Sequence, residues 1–496
     1  MLAAGARRGN RSVIVHAAAA PSAGQEINES GYANRRGLST HDSSDYNDSG
    51  MKTGILENFT AIESKRFADL RPRTRDEHAR RGKGLYAGVP LHWMLDWPMP
   101  FPMIVASAQG SAITDIDGVE LADFCFGDTG SMFGHSPKPV VDAITRQLGK
   151  GMTHMLTTQD AYEVGFLLRE RFGLPHWQIA TTASDANRFA LRVARAVTAR
   201  TNILVMNHCY HGAVDESYVT LIDGKPKNRP GVIGQAVDLT QMSKVVEFND
   251  LAALEAALAP RDVACVMMEP AMTNCSMVLP DPGYLAEVRR LTRAAGTLLL
   301  IDETHTISSG PMGFTGAHRL EPDIFVLGKP IAGGLPASVW GFSEEIAAEW
   351  TRIRATKPAG HSGFGTTLSA NALCLAAMRA MLREVMTESA YCHMDRLAQR
   401  LADGFSNVIR TEKLPWTIVR VGARVEFAFA AKPFRNGSEA MAAHDGGLEN
   451  AIHLGLVNRG CLITPFHNMM LVSPETSSGQ VDQLVRAFAD VVPRVH

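Results

Sequence analysis

Asp302 and Lys329 each close a short apolar run, LLLID and IFVLGK, and Glu269 closes a third, VACVMME. In open α/β sheets, ligands bind beyond the carboxyl ends of the strands. Three ionisable residues at such ends therefore point to one pocket. Lys329 lies between IFVLG and PIAGG, an enclosure that would desolvate its charge and lower its pKa. Imine formation with a carbonyl needs such a lysine. An electron-sink pyridine cofactor also needs an acid facing its ring nitrogen, and Asp302 is the candidate. Gly328-Lys329 is not a phosphate loop of the GxxxxGK[ST] type: Pro330 follows, and the upstream glycine is missing.

A phosphorylated cofactor needs an anion cradle. TTASDAN (181–187) precedes the helical pattern ANRFALRVARA, so backbone N–H groups and the Ser184 hydroxyl are placed to hold phosphate at a helix N-terminus. A plain N-cap by Ser184 or Asp185 accounts equally well for that loop alone. GFGTTLSAN (363–371) is a second loop of this kind. Tyr210 in HCYHGA follows a strand, where its ring can stack on a planar ligand. His208 and His211 have no third ligand at zinc spacing, and DETH is not HExxH, so no metal is expected.

The elements that must position these residues alternate helix and buried strand from about residue 135. PKPVVDAITRQLGKG and PGYLAEVRRLTRAAG read as helices with proline starts and glycine stops. TNILVMNH, VACVMMEP, TLLLIDE and DIFVLGK read as strands buried on both faces, which predicts a mostly parallel sheet. SANALCLAAMRAMLREV (369–385) is a long helix that leads out of this domain. Beyond it the pattern becomes α+β. SAITDIDGVELADFCFG reads as a hairpin turning at Asp117-Gly118. The expected organisation is a poorly ordered leader over 1–52 and a segment over 53–125 serving the small domain and a subunit contact. A large cofactor-binding domain over 126–385 and a small α+β domain over 386–496 follow.

Composition narrows the class. The 496 residues allow two or three domains, and a net charge of -2 offers nothing to nucleic acid. Seven scattered cysteines, mostly in apolar runs, suit reduced core thiols in a cytoplasmic protein. No apolar run reaches the length of a membrane span. The arginine-containing start, MLAAGARRGNRSVIVHAAAA, is read as part of the leader rather than as a targeting segment.

Taken in order, D-x-DG at 115–118, GH at 134–135, TTASDAN, YHG, EP, IDE, GK and TLSAN resemble the class III aminotransferases over roughly residues 85–490. These are pyridoxal-phosphate enzymes of fold type I, and the nearest branch contains glutamate-1-semialdehyde aminomutase and the β-amino-acid transaminases. The resemblance implies a large domain with a mostly parallel central sheet and a small α+β domain. It implies that Lys329 forms the internal aldimine and that Asp302 pairs with the pyridine nitrogen. By the same resemblance Tyr210 and Thr304 face the two sides of the ring. Ala183 and Ser184 match the phosphate loop, and Glu269 lies near the cofactor's hydroxyl. Thr367 matches a threonine that reaches the phosphate from a neighbouring subunit, which implies a homodimer with interfacial active sites.

The chain also departs from that pattern. Thr304 stands where relatives have valine. The loop before the first hairpin, where relatives acting on β-amino acids place a carboxylate-binding arginine, reads VPLHWMLDW (89–97) here and has none, and the C-terminal segment TPFHNMMLVSP (464–474) also lacks arginine. His92, Trp93, Trp97, Ser131, His467 and Asn468 are the substrate-pocket candidates, with the tryptophans closing the pocket from water. Arg424 is read as structural. The expected reaction is transfer of an amino group from an amine or an ω- or β-amino acid to a keto acid or aldehyde. An aminomutase or ammonia-lyase of the same fold is the alternative, and a non-catalytic cofactor-binding homologue is a third reading.

Overall fold

The central sheet is assembled from runs whose side chains are apolar on both faces. Its strands are β1 (His176–Ala180), β2 (Asn202–Met206), β3 (Ser243–Val246), β4 (Val263–Met268), β5 (Leu298–Asp302), β6 (Ile324–Leu327) and β7 (Ser338–Phe342). Every residue of β4, β6 and β7 is buried, as expected where helices cover both faces of a sheet. The strand order is β1-β7-β6-β5-β4-β2-β3. Only β7 runs against its neighbours; the remaining pairs are parallel. This computed structural model describes residues 46–360 and 362–496. Most of the expected leader, residues 1–45, lies outside the described residues. Its expected end at 52 is corrected, because a helix already begins at Tyr46 and runs to Leu70.

The helix Ala183–Thr198 shows how sequence sets the site. Ala186, Ala190, Leu191, Val193 and Ala194 make its buried face, at the three- and four-residue spacing of a helix packed on a sheet. Its N-cap is Thr182, whose side chain accepts from Asp185 N. The expected alternative, a cap by Ser184 or Asp185, is therefore corrected, and Ser184 is left inside the first turn.

The strands Val105–Gln109, Ala112–Asp115 and Glu120–Asp123 form an antiparallel meander, and Cys461–Leu462 pairs with its last strand. Gly118, with φ +86, takes the left-handed conformation the turn requires. Asp115 accepts from Asp117 N and Val119 N there, and its other oxygen accepts from Arg71 Nε at 2.8 Å, with both side chains fully buried. That pair ties the N-terminal helices to the meander. A further sheet of Thr417–Val421, Arg424–Ala428 and Met469–Leu471 packs with the helices Glu388–Thr411 and Ser478–Val491. The expected long helix is Ala372–Ala380 followed by a π-helical turn, Met381–Val385. Gly50–His496 form one compact unit. All seven cysteines are free thiols, and only Cys392 is exposed.

Candidate active site

A cavity of about 300 Å³ opens at the carboxyl ends of β4, β5 and β6. Ala183, Ser184, Tyr210, Glu269, Asp302, Thr304 and Lys329 all line it. Their convergence follows from parallel topology: each strand ends on the same edge, so the residue after each apolar run meets the others. Thr367 does not line the cavity and is exposed in the single chain.

Asp302 is the most constrained of these groups. One carboxylate oxygen accepts from Asn187 Nδ2 at 2.9 Å and pairs with His211 Nδ1 at 3.0 Å; the other accepts from Thr304 N at 3.1 Å. Burial alone would raise its pKa, but the hydrogen bond and charge of His211, with hydrogen bonds from Thr304 and Asn187, hold it at about 2. His211 is fully buried; burial disfavours its charge, and Cys209 and Asp302 raise it to about 10. Each member of the pair thus favours the charged form of the other. Thr304 explains its own identity: its hydroxyl accepts from Gly328 N at 3.2 Å and joins the end of β5 to the residue before Lys329. Glu269 accepts from Thr273 Oγ1 and, at 3.1 Å, from Asn274 Nδ2, and burial raises its pKa.

Lys329 departs from the sequence expectation. It is not an isolated amine in an apolar wall, because its side chain is 27% exposed and its Nζ donates to Asp128 Oδ2 at 2.6 Å. Nζ also lies 2.8 Å from His305 Nε2. Burial would raise the Asp128 pKa, but the positive charges of Lys329 and Arg424, with the hydrogen bond from Lys329, hold it well below the carboxylate range. Burial and the Lys329 charge push His305 far down, so its imidazole is neutral. An ammonium can only donate, so His305 Nε2 accepts from Lys329 and the ring proton sits on Nδ1. Nδ1–H then donates to Thr129 Oγ1 at 2.9 Å. Thr129 Oγ1 also accepts from Arg424 Nη2, while Arg424 Nε donates to the His305 carbonyl at 3.0 Å. Arg424 is fully buried and supports this chain from beneath.

Asp128, Thr129, His305, Asn187 and His211 were not identified from sequence. His305 stands three residues beyond Asp302 in the same strand-end turn. That position was a usable signal. Asp128 had only the turn-forming composition of GDTG.

The substrate-pocket candidates divide. Trp93 sits 5.5 Å from the Tyr210 ring and 5.0 Å from Phe466, between centroids, so it reaches the cavity's aromatic wall. His92 is exposed and touches Trp93 edge-on. Ser131 lies beside Gly334, which lines the cavity. Trp97 is corrected: it packs with the Phe67 and Leu121 cluster and faces a different cavity, of about 640 Å³. His467 and Asn468 are corrected too. His467 Nδ1 pairs with Glu426 at 2.8 Å, and Asn468 Oδ1 meets His453 Nε2 at 3.2 Å, both within a buried polar cluster. Neither lines the catalytic cavity. Among the described residues, no group of three His, Cys, Asp or Glu side chains is arranged to hold a metal.

Residues 95–492 match the family Aminotransferase class-III. A glutamate-1-semialdehyde 2,1-aminomutase of Anaeromyxobacter sp. (strain Fw109-5) is 30% identical over 393 residues, 78% of this chain and 90% of the relative. The crystal structure of a glutamate-1-semialdehyde-aminomutase from Pseudomonas aeruginosa PAO1 superposes with a TM-score of 0.88 at 47% identity, covering 90% of this chain and 99% of that one. A Lys→Ala variant from the same organism was crystallised in complex with PMP. An omega-transaminase from Sphaerobacter thermophilus has a TM-score of 0.79 at 26% identity, over 85% of this chain and 98% of that one. The chain belongs to the class-III aminotransferase family of pyridoxal-phosphate-dependent fold type I enzymes.

Proposed function

We propose that this enzyme shifts an amino group between neighbouring carbons of one small amino-carbonyl compound, the aminomutase reaction. The observation that carries the reading is the 47% identity, over 90% of the chain, to a glutamate-1-semialdehyde-aminomutase. Transfer between two molecules, the first expectation from sequence, is the second reading. Its support is that the cavity wall carries no arginine to clamp a substrate carboxylate, which leaves room for a simple amine as donor.

The residues present fit pyridoxal phosphate. The Ala183 and Ser184 N–H groups at the start of the helix Ala183–Thr198 have no intrahelical partner, and both residues border the cavity, as an anion site requires. Gly212 leaves them open: at φ +83, a Cβ there would stand 2.1 Å from Ser184 Oγ. Bound there, the cofactor supplies an aldehyde for covalent attachment of an amine and a ring that accepts the electron pair released by C–H cleavage. In this reading Ala183 and Ser184 hold the phosphate and Tyr210 and Thr304 flank the ring. Asp302, kept anionic and oriented by His211 and Asn187, holds the ring nitrogen in its protonated form. Lys329 anchors the aldehyde and, once displaced, moves the substrate proton. Trp93 shields the aromatic wall from water. We place a second copy against the loop carrying Thr367, since that residue is exposed and does not line the cavity. The free thiols suit a reducing compartment, the cytoplasm.

Absorbance of the cofactor-loaded protein separates the readings. An aminomutase converts a vicinal amino-aldehyde or amino-ketone with no acceptor added. A transaminase instead bleaches with an amine donor alone and recovers only with a keto acid; that outcome would overturn the favoured reading.

A further inference from the structure

The turn that carries Asp128 is unusual in its backbone. Phe126, Gly127, Asp128 and Thr129 all have positive φ, at 47°, 56°, 48° and 84°. Three of these four residues have a Cβ and so resist that conformation. Such strain persists only where surrounding structure over-determines it, and it gathers at functional sites. Here the surroundings are explicit. Asp123 Oδ1 accepts from Cys125 N at 2.8 Å and Phe126 N at 3.0 Å, and its other oxygen pairs with His135 at 2.7 Å. Arg424 holds Thr129 from below. The outcome of this bracing is a carboxylate at 2.6 Å from the lysine nitrogen, with a neutral imidazole acceptor at 2.8 Å from the same atom.

We infer that Asp128 and His305 form a two-point seat for an amine nitrogen, which holds Lys329 Nζ when it is free of the cofactor and keeps it poised at the reacting carbon. The inference rests on the reading that Lys329 anchors the cofactor. Asp128 supplies the charge. His305 supplies direction, because the Arg424–Thr129–His305 chain fixes its proton on Nδ1 and turns the Nε2 lone pair to the amine. A seat of this kind keeps the displaced lysine within reach for the return step and favours the protonated state of the nitrogen attached there.

The test is a pH titration of the visible band of the cofactor-loaded protein, with borohydride reduction and peptide mapping at Lys329 as a parallel readout. Removing a neighbouring negative charge is expected to lower the midpoint of the band by roughly one unit or more in Asp128→Asn. Both asparagine and glycine tolerate positive φ, so Asp128→Gly repeats the charge removal if the first variant folds poorly. His305→Leu is expected to slow covalent uptake of pyridoxal phosphate by the apoprotein about tenfold or more, and His305→Gln, which keeps an acceptor, to recover most of that rate. Wild-type protein tagged at Lys329, combined with an unchanged midpoint in both Asp128 variants, would overturn the seat alone. Wild-type protein with no tag at Lys329 would overturn the cofactor reading and the seat together.

Discussion

His211 Nδ1 stands 3.0 Å from Asp302 Oδ2, with the imidazole fully buried and the carboxylate nearly so. The pair is the electrostatic floor of the cavity, and its protonation makes stability depend on pH in two directions. The folded-state pKa of Asp302, about 2, lies below its ordinary 3.8. Its contribution is therefore present above pH 3.8 and is lost as pH falls toward 2. His211, at about 10, lies above its ordinary 6.5. Its contribution is full below pH 6.5 and is lost as pH rises toward 10. Urea denaturation of the apoprotein from pH 3 to 10 should show a plateau between these limits, and Asp302→Asn should remove the acid-side loss and weaken the alkaline-side one. Removing one member of a buried pair should also cost roughly 3–5 kcal/mol. A flat profile in wild type would show that the pair is not ionised.

Lys329→Ala should still fold, with a measurable stability loss because Asp128 is left without its partner at 2.6 Å. Turnover should fall by at least about 10²–10⁴-fold, the usual contribution of a positioned acid–base group. Steady-state rates and a thermal melt on the same preparation check both halves. Retained turnover would remove the lysine from the chemistry.

Gly212→Ala tests the phosphate cradle. A Cβ at this position would press on Ser184 Oγ, and φ +83 is unfavourable to alanine. We expect weaker pyridoxal-phosphate binding by equilibrium dialysis, and a stability loss of about 1–3 kcal/mol from backbone strain. Unchanged affinity would mean that the first turn of the helix Ala183–Thr198 does not hold the phosphate.

The two tryptophans of the 89–97 loop should separate cleanly. Trp93→Ala removes the ring against Tyr210 and Phe466, and should raise KM several-fold with a small change in Tm. Trp97→Ala removes packing in the Phe67–Leu121 cluster, and should cost about 1–3 kcal/mol, below the value for a fully buried aromatic, with kcat little changed. The reverse pattern would restore Trp97 as a pocket residue.

The sequence by itself determined four of the seven sheet strands, a helix at TTASDAN, which in the structure begins inside that motif at Ala183, and the edge where chemistry gathers. Apolar runs of strand length ending in Glu269, Asp302 and Lys329 are local patterns, and parallel topology brings such ends to one place without further information. The motifs also carried the family. Only the tertiary structure decided what surrounds the lysine. Asp128 lies 201 residues from Lys329 along the chain, and Arg424 lies 295 residues from Thr129. A pairing over such separations depends on how the 126–129 turn, the β5 end and the C-terminal sheet pack, and no local spacing records that. The same reason accounts for Trp97, His467 and Asn468, whose polar and aromatic types suited a pocket but whose neighbours in space are structural. A residue's type limits the chemistry it can do, and the low-dielectric contacts made on folding select which of those options it exercises.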